Sequence, residues 1–321
     1  MVDRSKPRTN RPGEKLMSGQ SPFQPVQLGG SQSFWPEGKS SAACISVLFS
    51  DGLDALAAAP DLADRHKSFS VWKYGAARGV ERLCRIFEDK KLSTSWFVPA
   101  MLTQTHASLL CDIHASGHDF ASHGLTIERY DLFSPQIALD RIRQSKSQLE
   151  ACLNQEITGF RLPLGNWPHG FDRALLEAGF QWSASLNGDD APFLHASRLL
   201  EIPVHIELDD RPYFQFNFTP AFPKGQSRLP AYEAVLANWK AEFDAYHRYG
   251  GCFVLQIHPE WSGTPGRISI IEDMIDYIQS HEDVWFATAS EIAAWCLQHL
   301  QPSPPQHPIN VYKDYVKETA Q

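Results

Sequence analysis

"GHDFASHGLTIERYDLFSPQIALDRIRQSKSQLEACL" (residues 117–153) contains both halves of a strand–turn–helix unit. Its opening, "HDFAS" (118–122), reads as a short strand, and the glycine after His123 marks a turn. Further on, Ser134 serves as N-cap and Pro135 takes the first helical position. Ile137, Leu139, Ile142, Leu149 and Leu153 then supply an apolar stripe, with Arg141, Arg143 and Lys146 facing water. His123 therefore stands at the carboxyl end of a strand, where α/β proteins carry their catalytic groups.

The same alternation continues in both directions. Strands are expected at 44–49, 93–98, 118–122, 158–162, 181–185, 199–204, 252–257 and 284–288, mostly as unbroken apolar runs. That pattern belongs to parallel strands covered on both faces. Helical patterns lie between them, one of which ends in "HRYGG" with glycine as its C-terminal cap. Strands separated by helices, with no linker between residues 35 and 300, predict one (β/α) barrel-like domain. Residues 1–34 read as an extended N-terminal arm and 301–321 as a C-terminal tail. These polar ends, with Trp35 just past the first, carry Tyr312, Tyr315 and Val316, so a homo-oligomer is expected.

Composition narrows the function. The chain has 321 residues and a net charge of -8, which argues against nucleic acid or an anionic membrane as partner. No apolar run reaches the ~20 residues of a membrane span, and the charged start "MVDRSKPRTNRPGEKL" contains no signal-type apolar region. The six cysteines never pair as C-x-x-C and read as reduced core residues. A cytoplasmic protein acting on a small-molecule substrate is expected.

Polar residues gather just past the strand ends. They are Ser50, Asp51 and Asp54; Ser122 and His123; Arg161, Asn166 and Trp167; Asn187, Asp189 and Asp190; Glu207, Asp209, Asp210 and Arg211; and Gln256, His258, Glu260 and Trp261. Parallel strands would bring these to one mouth, forming a polar pocket for a small or sugar-sized ligand. His118 falls on the opposite face of its strand from His123 and is expected to be structural. His169 reads as a surface loop residue, and His205 as either pocket wall or exterior. Asp209 and Asp210 are either paired carboxylates or a turn. Arg161 needs a carboxylate partner, expected from Asp51 or Asp190.

From "FWPEGKSSAACISVLFSDG" to "VWFATASEIAAWC" the chain resembles the polysaccharide deacetylase (NodB-homology) family. It is most similar to the branch of metal-independent allantoinases and peptidoglycan-deacetylase-like cyclic imide hydrolases. "GHDFASHG", "TGFRLPLGNW", "EIPVHIELDDRPYF" and "IHPEWSGTPGR" carry the resemblance in order. It implies a distorted barrel of about seven parallel strands. It also implies a hydrolase of non-peptide C–N bonds, with Asp51 as base, Arg161 orienting it, and His258 and His123 as acid–base groups. Trp167, Asn166, Asp190, Asp210 and Trp261 are expected to line the substrate pocket.

Metal-dependent relatives use an Asp and two His spaced H-x3-H. Here Ile127 replaces the second His, and Gly52 stands where family members carry adjacent acids. Zinc normally takes three protein ligands. No cofactor is therefore expected; a divalent ion such as zinc would rest weakly on Asp54 and His123 unless Glu128 joined them. Glu128 is expected to pair with Arg129 or solvent instead. The leading reading is hydrolysis of a cyclic amide or imide of the allantoin or hydantoin kind. The alternatives are a metal-dependent N-deacetylase of an acetylated amino sugar or glycan, and a catalytically silent carbohydrate- or protein-binding member.

Overall fold

A computed structural model describes residues 34–215, 229–304 and 307–310. Its strands are β1 (Ser41–Leu48), β2 (Ser95–Val98), β3 (Asp119–Ser122), β4 (Gly159–Phe160) and β5 (Trp182–Ser183). β6 (Phe193–Leu194), β7 (Leu200–Glu201), β8 (Cys252–Ile257) and β9 (Val284–Phe286) complete the set. They form one sheet in the order β6-β7-β5-β4-β3-β2-β1-β8, with β9 also on β1. All pairings are parallel except β6 with β7.

β1 is the hub. Along Ala42–Val47 it pairs with β8, while β9 takes Ser41–Ala43 and β2 takes Ser46–Leu48. The sheet curls into a half-barrel, and a bridge between Asp209 and Gln256 brings the chain after β7 against β8. All eight residues of β1 are buried. Ala43, Ile45 and Val47 enter the larger core, while Ala42, Cys44 and Leu48 join Phe97, Trp182, Leu200 and Ile292 in a second one. Burial on both faces is why this strand reads as an unbroken apolar run.

The eight expected strands are all present, and all eight run parallel to a neighbour. β6 was not legible, because two residues carry no periodic signal. The long helix spans Pro135–Leu153, and its Ser134 cap accepts the Ile137 N–H at 3.4 Å. Its buried face differs from the expected stripe: Ile137 is 51% exposed, and Ala138 and Ser145 take buried places. Arg141 does not simply face water; its Nε donates to Glu128 Oε1 at 3.0 Å. His118 is buried, its Nδ1 accepting from the Thr94 amide at 3.1 Å, and burial pushes its pKa down to about 4.

Trp35 is used within the chain and is no free surface. It is 2% exposed, donates Nε1–H to the Gly250 carbonyl at 2.8 Å and packs on Trp285. Cys44, Cys252 and Cys296 are core residues as expected, but Cys111 is exposed and Cys84 and Cys152 are half-buried. Of the expected arm only Phe34 is described; Tyr312, Tyr315 and Val316 lie outside the described residues. Among the described residues, no helix is long and apolar enough to cross a membrane.

Candidate active site

His123 follows β3 directly, its amide donating to the Val98 carbonyl at 2.9 Å. Its Nδ1 lies 3.1 Å from the Arg161 carbonyl oxygen. A carbonyl only accepts, so Nδ1 carries the proton and Nε2 keeps its lone pair. Burial, with the nearby charge of Arg161, pushes the imidazole down to about 3. It is thus a neutral acceptor at ordinary pH and has no proton to give at Nε2, which removes the acid role allowed for it.

The segment after His123 is a loop rather than a helix. Ile127 is 3% exposed and has a φ of 69°, a left-handed backbone that a β-branched residue rarely adopts. Glu128 does not replace it as a ligand. Its Oε2 accepts the Leu125 amide at 3.0 Å and its Oε1 accepts from Arg141, not Arg129, which pairs with Asp131 at 2.6 Å.

The second imidazole is built differently. His258 follows β8 and opens the short helix Pro259–Ser262. Its Nδ1 lies 2.6 Å from Asp210 Oδ1, and a carboxylate accepts, so Nε2 is again the free atom. Asp210 is wholly buried, and its Oδ2 accepts the His258 amide at 2.8 Å and the Ser262 hydroxyl at 2.5 Å. It therefore positions His258 and does not line a substrate surface as expected. The helix is set by close approach of a π-helical turn, Gly75–Gly79: a Cβ on Gly79 would lie 2.1 Å from the Pro259 carbonyl.

Two guanidinium groups face this region. Arg161 is buried, donates from one Nη to Gln256 Oε1, and leaves Nη1 buried without a partner. Gln256 is fixed in turn by donating to the His205 carbonyl at 2.9 Å. Burial pushes Arg161 down to about 10, with the charge of Asp209 opposing. Neither Asp51 nor Asp190 is its partner. Arg211 grips Asp209 through Nη2 at 3.0 Å. Burial acts to raise the Asp209 carboxyl, but Arg211 and His258 hold it below its ordinary range.

Asp51 lies elsewhere in the site. Its Oδ2 pairs with Lys73 Nζ at 2.5 Å and is 3.5 Å from His106 Nε2, while its Oδ1 is buried without a partner. Its φ is 50°, left-handed like that of Gly52 after it. Asp54 accepts from Ser50 at 2.5 Å. Glu260 is 3% exposed with Oε1 unpartnered; burial, then the charges of Asp54 and Asp210, raise its carboxyl well above the ordinary range. Arg211 and Glu260 were expected at the mouth without a role, and Lys73 and His106 were not named from the sequence. Lys73, on the helix His66–Tyr74, and His106, just before the helix Ala107–Ala115, reach Asp51 with no local hint in their spacing.

Four further expected pocket residues find other places. Trp261 is buried edge-on against Trp72, and Asn166 is exposed. Trp167 stacks on His195, 5.6 Å between ring centroids, and His195 pairs with the buried Glu201 at 3.2 Å. Asp190 is exposed and lines a separate cavity of about 370 Å³ with His205, Glu207, Glu242, Tyr246 and Tyr249. His169 is exposed.

A divalent ion needs convergent ligand atoms. Among the described residues, Asp209, Asp210 and His258 bring theirs within 4.8 Å of one another, so an acidic/His cluster of the right size exists. Those atoms are already committed: Asp210 to His258 and Ser262, and Asp209 to Arg211. Around His123, Ile127 offers no ligand, Asp54 bonds Ser50, and the charges that bear on the imidazole are positive. The residues present do not fit a three-ligand zinc centre without dismantling the Asp210–His258 pair.

Residues 66–183 match the family described as Polysaccharide deacetylase. A peptidoglycan deacetylase of Helicobacter pylori (strain ATCC 700392 / 26695) is 24% identical over 244 residues, 67% of this chain and 82% of that protein. A Mycobacterium smegmatis structure described as a candidate polysaccharide deacetylase is 29% identical, with a TM-score of 0.78. The match covers 84% of this chain and 95% of that one. The PuuE allantoinase shares the fold, at 19% identity and a TM-score of 0.72, over 89% of this chain and 100% of that one.

Proposed function

We propose that this chain, which carries a polysaccharide deacetylase domain of NodB-type fold, hydrolyses the C–N bond of a small cyclic amide or imide without a resident metal. The observation that carries this reading is the pair of imidazoles, His123 and His258, each tied through Nδ1 and free at Nε2, beside a buried Arg161 nitrogen without a partner.

Each side chain has a task in that reaction. Asp51, with Oδ1 free, takes a proton from the attacking water. Arg161 Nη1, with Arg211 beyond it, meets the oxyanion as water adds to the carbonyl carbon. His258, when Nε2 is protonated as well as Nδ1, gives the Nε2 proton to the departing ring nitrogen while Asp210 steadies the imidazole. The proton that Asp51 took from water replaces it after the product leaves. The C–N bond breaks and leaves a carboxylic acid and a ring-opened amide or amine. His123, neutral and acceptor-only at Nε2, receives a ring N–H, a donor that hydantoins and imides have. Opening a strained ring asks less electrophilic help than cleaving a plain acetamide.

Assays on a hydantoin, a five-membered cyclic imide and acetylated glucosamine oligomers test the reading. Ring opening at a rate well above that on the oligomers is expected. Turnover of the oligomers alone would favour the metal-dependent N-deacetylase suggested by the Asp209–Asp210–His258 cluster. No turnover on any of them would favour a silent binding protein.

A further inference from the structure

Cys111 is the exposed cysteine, on the helix Ala107–Ala115, and Cys152 lies at the end of the neighbouring helix Pro135–Leu153. The Cys111 thiol donates to the Cys152 carbonyl at 3.4 Å, which brings the Cys111 sulfur against the Cys152 residue, and the charge of Cys111 bears on the Cys152 thiol. Two thiols on facing helices, one of them open to solvent, are not what core packing requires. The chain between them contains β3, His123 and the loop to the long helix.

We propose that Cys111 and Cys152 form a reversible disulfide, driven by a low-molecular-weight disulfide, that staples these helices around the His123 loop. The Cys111 thiolate attacks one sulfur of the oxidant, whose S–S bond breaks and releases one thiol. The Cys152 thiolate then attacks the Cys111 sulfur of the mixed disulfide and expels the second thiol. Two protein thiols are oxidised and one small disulfide becomes two thiols, each taking up a proton that a cysteine gave. Burial, with the Cys111 charge adding to it, raises Cys152, so the exposed Cys111 reacts first and Cys152 resolves. The buried Cys44, pushed up to about 12 by burial, takes no part.

Incubating the full chain in glutathione buffers of increasing disulfide fraction tests this. The intact mass should fall by two hydrogens, and digestion should yield a peptide pair joined through Cys111 and Cys152. Tm should rise by roughly 5 °C and return on adding dithiothreitol, since the cross-link closes a loop in the unfolded chain. Cys152→Ser should trap one glutathione on Cys111, and Cys111→Ser should leave Cys152 unmodified. Both are conservative changes on the helix surface, and their Tm values under reducing conditions check that they fold. A wild-type chain that stays reduced under oxidant, keeps glutathione on Cys111 without cross-linking, or joins a different pair would overturn the proposal.

Discussion

His123 and His258 illustrate how one side-chain type takes two roles. The Arg161 carbonyl and surrounding burial fix His123 as a neutral acceptor, while Asp210 holds His258 through Nδ1, as the proposed proton transfer requires. His123→Ala should lower kcat/KM at least about tenfold. Asp210→Asn should lower kcat by ~100-fold or more, because an amide can present the wrong partner to Nδ1. Steady-state kinetics on the ring substrate checks both; unchanged rates would remove these residues from the reaction. Burial also makes stability depend on pH. His123 and His118 titrate at about 3 and about 4 when folded, against about 6.5 when unfolded. Between those values the unfolded chain binds the extra protons, so stability falls as pH drops below about 6.5. Burial raises Asp119 to about 6, and there the folded chain holds the extra proton, which opposes the trend down to its unfolded value near 4. Glu260, also raised by burial, opposes it in the same way, so two carboxyls offset the two imidazoles until the unfolded carboxyls take up their own protons. Tm should be nearly flat from about pH 6.5 to about 4.5 and fall below it, and a Tm that rises below about 4.5 would contradict these assignments. The two imidazoles were legible in the sequence because each stands just past a strand end. The pairings in the site were not: Asp210 reaches His258 from 48 residues away, and Lys73 reaches Asp51 from 22.

The element that sets the site is the contact between the π-helical turn Gly75–Gly79 and the helix Pro259–Ser262. A side chain on Gly79 would overlap the Pro259 carbonyl, so Gly79→Ala should destabilise the chain by about 1–3 kcal/mol and lower kcat by displacing His258. Thermal unfolding together with kinetics checks this; a variant with unchanged Tm and rate would mean that the contact is not as tight as drawn. "YGAARG" carries small residues at helical spacing, but nothing in it says what packs on them, which is why this element was not read as part of the site. The His123 loop carries a similar lesson. H-x3-H spacing suggests a helical turn, yet Gly124 at φ 79° and Ile127 at φ 69° make the segment a loop. The Glu128 carboxylate, with the Leu125 amide and Arg141, then holds the turn.

At the scale of the whole molecule, strands were legible wherever burial on both faces produced an unbroken apolar run, as in β1 and β8. Closure was not, because it rests on one bridge between Asp209 and Gln256, residues whose side chains also hold Arg211 and Arg161. The barrel seam and the arginine pair of the site are thus the same piece of structure. Assembly stays a proposal. Trp35 is buried within the chain, so a homo-oligomer would have to use other surface, such as exposed Leu132, Ile137 and Ile206. Light scattering over a hundredfold range of concentration should give a constant mass above 36.1 kDa, and a constant monomer mass would contradict it. The proposed chemistry at His123 and His258 needs no metal. Turnover of the ring substrate by chelator-dialysed protein, with metal content measured on the same sample, tests it. Full turnover is expected at metal well below one equivalent. Turnover that disappears with the metal and returns with one equivalent of zinc would contradict it.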